Sequence, residues 1–273
     1  MSTPLVEVSD LTKVFGAVRA LDGVNLKVFP GEVYGLLGPN GAGKSTMIKI
    51  ISGLLEPTSG TTKVAGFDSV REPIEVKSKI GCVAENPIMY ESLSPRDFFE
   101  FVGSIRKIDS ASTNAMVKQL AEAFDMDQFF DSPIATLSMG TKQKVAVVAS
   151  LLHRPSVLLL DEPLNGLDVK SSRISKDLIS FHAQSGGAVL FSTHIMEVAE
   201  HICTKIGIIF RGKIVAEGTL DQLRAMAGGR DATLEEVFLR LTNEEAEVAD
   251  TVKTLREAFL KEGAKRRLAD STL

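Results

Sequence analysis

The sequence predicts an α/β fold, a strand-rich core interrupted by a helical insertion, and three observations carry that prediction. The apolar run Val33–Leu37 leads straight into Gly38-Pro-Asn-Gly-Ala-Gly-Lys-Ser-Thr46, and Met47, Ile48, Ile51, Leu54 and Leu55 follow at helical spacing. That is strand, glycine loop, helix. Further on, Val157-Leu-Leu-Leu-Asp-Glu-Pro163 is an apolar strand that ends in two carboxylates. Between these, from about Asn86 to Pro155, Asp97–Phe101 is aromatic-rich and Val117, Leu120, Ala121 and Phe124 form an apolar stripe at helical period.

Taken in order, residues 5–37 read as short strands joined by turns. Val24, Leu26 and Val28 alternate with polar positions, and Pro30-Gly31 is a turn. After the insertion, strands return at Val157–Leu160 and Ala188–Phe191, and Ile206–Phe210 with Lys213–Glu217 form a hairpin about Arg211-Gly212. The expected core therefore covers about 1–85 and 156–222. Residues 223–273 carry no strand signal. There Val248, Val252, Leu255 and Phe259 recur among Glu and Lys, which predicts a terminal amphipathic helix, frayed and basic from Gly263 onward.

At 273 residues, 44% hydrophobic and 24% charged, the chain has the composition of an ordinary globular protein. A net charge of −4 argues against a duplex nucleic-acid binder, so no nucleic-acid partner is expected. Cys82 and Cys203 are too few for a disulfide framework and fit a reducing cytosol. The N-terminus has neither the basic region nor the apolar stretch of a signal peptide. Apolar runs such as Ala146–Leu152 fall far short of the roughly 20 residues that a bilayer requires. Work at a membrane would need another chain to cross it.

The residues with chemistry begin at the glycine loop. Gly38, Pro39, Asn40, Gly41, Ala42, Gly43, Lys44, Ser45 and Thr46 fit the G-x-x-x-x-G-K-[ST] phosphate loop, with the strand before and helix after that it requires. Glycines let backbone N–H groups approach phosphates. Lys44 brings a charge to the β- and γ-phosphates, and Ser45 offers its hydroxyl to Mg²⁺. Asp161 and Glu162 emerge at a strand's C-terminal edge, where Asp161 suits Mg²⁺ and Glu162 an attacking water. His194 follows the strand Ala188–Phe191 and suits a hydrogen bond at a γ-phosphate. Leu137-Ser-Met-Gly-Thr-Lys-Gln-Lys144 reads as a second anion-binding turn, a hydroxyl and a glycine opening a helix.

In order and approximate spacing, the phosphate loop, LSMGTKQK, VLLLDEP, NGLD and STH resemble ATP-binding cassette (ABC) ATPases over about residues 5–220. The resemblance implies a P-loop NTPase (RecA-like) core with an antiparallel β subdomain, a helical subdomain at about 86–155, and ATP and Mg²⁺ as cofactors. It also implies a second ATPase subunit, identical or not, docked head to tail. The second anion turn then has a use: Ser138 and Gly140 cap the γ-phosphate of ATP held by the facing subunit. By the same resemblance Asp168 lies at the dimer seam and Phe15 stacks on adenine.

Two positions depart from the family pattern. Met139 and Thr141 replace a glycine and the glutamine of the usual LSGGQ, and Glu85 stands where a glutamine usually follows a strand near Mg²⁺. Among cassette machines, a transporter subunit that drives a separate integral membrane permease from the cytoplasmic face is the leading expectation. Asn86–Pro95 and Phe98, Phe99 and Phe101 resemble the region where export-type cassettes receive a permease helix, although these aromatics also suit the interior of a helical subdomain. Thr233-Leu-Glu-Glu-Val-Phe238 is similar to bacterial and archaeal exporter cassettes. The alternative is a cassette acting on ribosomes or DNA. Those versions generally pair two cassettes in one chain or carry a long coiled coil, and this chain has one phosphate loop and no heptad array.

Overall fold

The computed structural model describes residues 2–227, 229, 232–246, 248 and 250–256. Strands β1 (Val6–Phe15) and β2 (Val18–Val28) pair antiparallel, with Val6 opposite Val28 and Phe15 opposite Val18. They run for 10 and 11 residues, longer than the short strands that the sequence suggests. The reason is local: register shifts between Val8 and Val14, with left-handed Asp10 (φ 49°), restart the apolar alternation partway along β1. One irregular strand therefore reads as several. With β4 (Ser59–Val64) and β5 (Phe67–Asp68) they make a four-stranded sheet in the order β2-β1-β4-β5.

The second sheet contains β3 (Val33–Leu37), β6 (Ile80–Val83), β7 (Val157–Asp161), β8 (Ala188–Thr193), β9 (Lys205–Phe210) and β10 (Lys213–Gly218), in the order β10-β9-β3-β8-β7-β6. It is parallel from β9 to β6, and the expected hairpin adds β10 antiparallel at one edge. Every residue of β3, β7 and β8 is buried. Burial on both faces accounts for their continuous apolar runs. One core, around Leu21, Leu36, Met47 and Ile209, includes residues of both sheets and of α1 (Lys44–Ile51). The other, around Phe99, Phe124, Val145 and Phe191, joins the parallel sheet to the inserted helices.

The insertion consists of α3 (Pro95–Ile105), α4 (Ser110–Ala123) and α5 (Met139–Leu151). Ser94 and Asp97 form a capping box that starts α3, and Asp109 caps α4. The predicted stripe is inward-facing: Val117, Ala121 and Phe124 are buried. The three phenylalanines of α3 divide, with Phe99 in the core and Phe101 exposed, edge-on to Tyr90 at 5.2 Å between ring centres. Helix α2 (Pro73–Lys79), which sequence periodicity did not signal, precedes β6. Helices α6 (Val169–Gln184) and α7 (Met196–Ile202) flank β8 in the chain.

Met1–Leu220 and Asp221–Leu273 separate into two compact units. Across the boundary in the chain runs α8 (Leu220–Met226). In the second unit α9 (Leu234–Leu241) starts from a Thr233/Glu236 capping box and buries Leu234, Val237 and Phe238. Residues 245, 246, 248 and 250–256 are helical as expected, while Phe259 and the stretch from Gly263 lie outside the described residues. No helix among the described residues is long and apolar enough to cross a membrane.

Candidate active site

β3 ends at Leu37 and the glycine loop turns directly into α1. A Cβ on Gly38 would meet the Ile209 carbonyl oxygen at 2.2 Å, and one on Gly43, at φ 109°, would meet that of Ala20 at 2.5 Å. Both positions therefore require glycine. Lys44 is buried, and its Nζ donates to the carbonyls of Gly38 (2.7 Å) and Pro39 (3.2 Å). It also lies 3.7 Å from Glu162 Oε1. Desolvation lowers the lysine's pKa, and the nearby carboxylates of Glu162, Asp161 and Glu85 oppose that shift.

The sheet order brings the other groups to the same place. β8 lies between β3 and β7, so three strand ends open onto one edge, where ligands of such sheets bind. Asp161 Oδ1 accepts a 2.5 Å hydrogen bond from Ser192 Oγ on β8, and Asp161 is buried. Glu162 has a left-handed backbone (φ 47°), which non-glycine residues rarely adopt, and its N–H donates to the Ser192 carbonyl at 3.2 Å. That kink separates two sequential carboxylates. Glu162 Oε1 accepts from His194 Nδ1 at 2.8 Å. An ionised carboxylate has no proton to give, so the bond places the imidazole proton on Nδ1.

Glu85, just past β6, lines one cavity with Lys44, Ser45, Thr46, Asn40 and Glu162. The predicted phosphate, carboxylate and glutamate groups are thus assembled within one chain. Phe15, Ser138, Gly140 and Asp168 do not line that cavity. Phe15 is half-exposed beneath Lys13, whose Nζ is 4.9 Å from the ring centre.

The second turn has an architecture of its own. Ser138 caps α5: its Oγ accepts from the Thr141 N–H at 3.2 Å and shares a 2.9 Å hydrogen bond with Thr141 Oγ1. Threonine at this departure from the family pattern therefore adds a partner for the capping hydroxyl. A Cβ on Gly140 would stand 2.2 Å from the Gly166 carbonyl oxygen. The turn thus touches the Asn165–Asp168 segment backbone to backbone. Asp168 caps α6, accepting from Ser171 N and Oγ at 2.8 Å each, and pairs with Lys144 of α5 at 2.9 Å. These bonds, those from Ser171 first, hold its carboxyl well below the usual range.

Sequence reasoning missed Ser192, Gly166 and the partnership of Lys144 with Asp168. Ser192 had a signal: it is the penultimate residue of β8, just ahead of His194, at the strand end where ligands of such sheets bind. A separate, largely apolar groove is lined by Leu54, Ile88, Met89, Phe98, Val102 and His153, among others, with Ile88 almost fully exposed.

Residues 21–165 match the family described as ABC transporter. The chain belongs to that family. It is 36% identical over 243 residues to the probable multidrug ABC transporter ATP-binding protein YbhF of Escherichia coli K12, a match covering 88% of this chain and 42% of YbhF. The chain thus spans less than half the length of that relative. It is 35% identical over 207 residues to the ABC transporter ATP-binding protein NatA of Bacillus subtilis, covering 76% of this chain and 84% of NatA. Among solved structures, an ATP-binding subunit of an ABC transporter superposes with a TM-score of 0.83 at 33% identity, covering 87% of this chain and 99% of that one. A dimeric ATP-binding cassette in a post-hydrolysis state with ADP and Pi gives 0.72 at 25% identity, covering 79% and 98%. The cassette fold expected from the sequence, with its parallel core, antiparallel β subdomain and inserted helices, is the fold observed.

Proposed function

We propose that this chain binds and hydrolyses ATP as the nucleotide-binding subunit of an ABC transporter, pairing with a second cassette and driving a separate membrane permease, in the export direction, from the cytoplasmic face. The observation that carries the reading is the convergence of Lys44, Asp161, Glu162 and His194 at one sheet edge. The catalytic domain would cover 1–222, with its helical subdomain at about 86–155 and residues 223–273 as a tail.

Each role follows from chemistry. Gly38–Thr46 would cradle the phosphates with backbone N–H groups, and Lys44 would exchange its carbonyl partners for β- and γ-phosphate oxygens. Phe15 would stack on the base. Ser45, Asp161 and Glu85 form an all-oxygen donor set, the chemistry that suits Mg²⁺ completed by substrate phosphates. The ion would supply neutralisation of charge on the transferred phosphoryl group. Glu162, held by His194, would orient water and take its proton as that oxygen bonds to the γ-phosphorus and the bond to the ADP oxygen breaks. Ser138 and Gly140 would close over the partner's nucleotide, with Asp168 at the seam. The groove beside Ile88 and Phe98 would receive the permease. Transport is favoured over ribosome or DNA work by relatives whose names are those of transporter ATP-binding proteins.

The test is E162Q, which keeps shape while removing the proton acceptor. Hydrolysis should fall by about 10²–10⁴-fold, the usual contribution of a general base. ATP should then stay bound, and sedimentation should show a shift toward dimer on adding Mg-ATP. Adding Ser138→Arg should abolish that shift. A self-association constant that Mg-ATP leaves unchanged in both variants refutes pairing across the signature turn.

A further inference from the structure

We infer that the terminal helix is a self-association surface through which two copies of this chain pair antiparallel without nucleotide. This goes beyond the ATP-dependent pairing proposed above and does not rest on it. Val248, Val252 and Leu255 project from the helical residues between 245 and 256 and are 43%, 58% and 53% exposed. Their separations are four and three residues, and Phe259 continues the series in the sequence. Apolar residues at two positions in seven mark the seam of paired helices, narrower than the stripe that a helix lays on a globular core. Thr251, beside the seam, is small enough to admit a close neighbour.

Charge selects the occupant and its direction. Glu244, Glu245, Glu247 and Asp250 give residues 244–250 a net charge of −4. Lys253 and Arg256 give residues 251–256 a net charge of +2. A parallel, in-register pair would stack like charge on like. An antiparallel pair sets the acidic half of each copy against the basic half of the other, twice over, which is the self-complementarity that a two-fold interface demands. Opposed helix dipoles favour the same direction. An anionic membrane surface would be repelled by the acidic half. Glu245, which already pairs with Arg240 at 3.3 Å, is a rim contributor in this arrangement.

Sedimentation velocity on the full chain in EDTA, without nucleotide, tests this. Wild type should show a concentration-dependent dimer. V252E/L255E should raise the dissociation constant by about tenfold or more, because it puts charge into the buried seam. Both side chains are exposed, and unchanged thermal unfolding and ATP binding confirm that the variant folds. E244K/E245K/D250K and K253E/R256E should each self-associate less than wild type, and an equimolar mixture of the two should recover dimer. A wild type that stays monomeric, or a V252E/L255E variant that dimerises like wild type, overturns the inference. Failure of the mixture to recover dimer overturns the antiparallel arrangement. Co-sedimentation with phosphatidylcholine–phosphatidylglycerol vesicles in place of dimer overturns it in favour of a lipid surface. E162Q placed in the V252E/L255E background should still dimerise on Mg-ATP, so failure of the ATP-driven pairing is read separately.

Discussion

Gly140→Ala should destabilise this cassette even as an isolated subunit, before any partner or nucleotide is involved. The added methyl would lie 2.2 Å from the Gly166 carbonyl oxygen, where ordinary contact begins at 3.4 Å. Backbone at one side must therefore retreat by about 1.2 Å, the difference between those two distances. Neither side yields easily. Gly140 is in the first turn of α5, anchored by the Ser138 cap, and Gly166 precedes the Asp168 cap of α6, which Lys144 ties back to α5. Overpacking of this kind typically costs about 1–3 kcal/mol. At roughly 2–4 °C per kcal/mol for a domain of this size, the unfolding midpoint should drop by about 2–12 °C. Differential scanning calorimetry without nucleotide reads this directly. Gly229→Ala is the control, since no atom of the described residues lies within 4 Å of its Cβ and its φ is not left-handed. An unchanged midpoint for Gly140→Ala would refute the claim that this glycine is required within its own chain.

Lys44→Ala should remove most ATP binding by deleting the charge beside Glu162 and the loop carbonyls. The chain has no Trp, so a fluorescent or radiolabelled nucleotide is the readout. Glu85→Gln should leave Mg-ATP affinity roughly intact but move the Mg²⁺ dependence of turnover to higher concentration, since a neutral amide replaces an anionic oxygen of the proposed Mg²⁺ donor set; an unchanged Mg²⁺ titration would make the departure neutral. Stability should decline as pH falls below about 6.5, the ordinary histidine value. Burial lowers the pKa of His153, with Arg106 adding to the effect, and burial likewise lowers that of His182. The unfolded chain then binds more protons than the folded one between the two values, so acidification favours unfolding. Asp168, held ionised far below that range, contributes nothing there. Thermal unfolding between pH 7.5 and 5.5 checks the slope, and His153→Gln with His182→Gln should flatten it.

The sequence by itself determined whatever is written in local period or in short motifs. Strand, glycine loop and helix at 33–51, the carboxylate-ended strand at 157–161 and the hairpin at 205–218 are legible because each pattern is complete within a few residues, although the apolar period through Leu54 and Leu55 overran the end of α1 at Ile51. Five motifs in order were enough to fix the family. The tertiary structure alone decided which strands are neighbours. β8 between β3 and β7 joins Asp161 to Ser192 and Glu162 to His194 across 31 and 32 residues of chain. Apolar period records that a face is buried, never against what, which is why Phe98, Phe99 and Phe101 part company between groove, core and surface. The same limit hid the continuity of β1, where register shifts interrupt the alternation while the ladder runs on. It also hid the use of the signature turn's own atoms: the Ser138 hydroxyl serves as a helix cap, and Gly140 is a glycine for the backbone of Gly166. A close approach between segments 26 residues apart depends on where two helices begin in space, and no spacing along the chain encodes that distance.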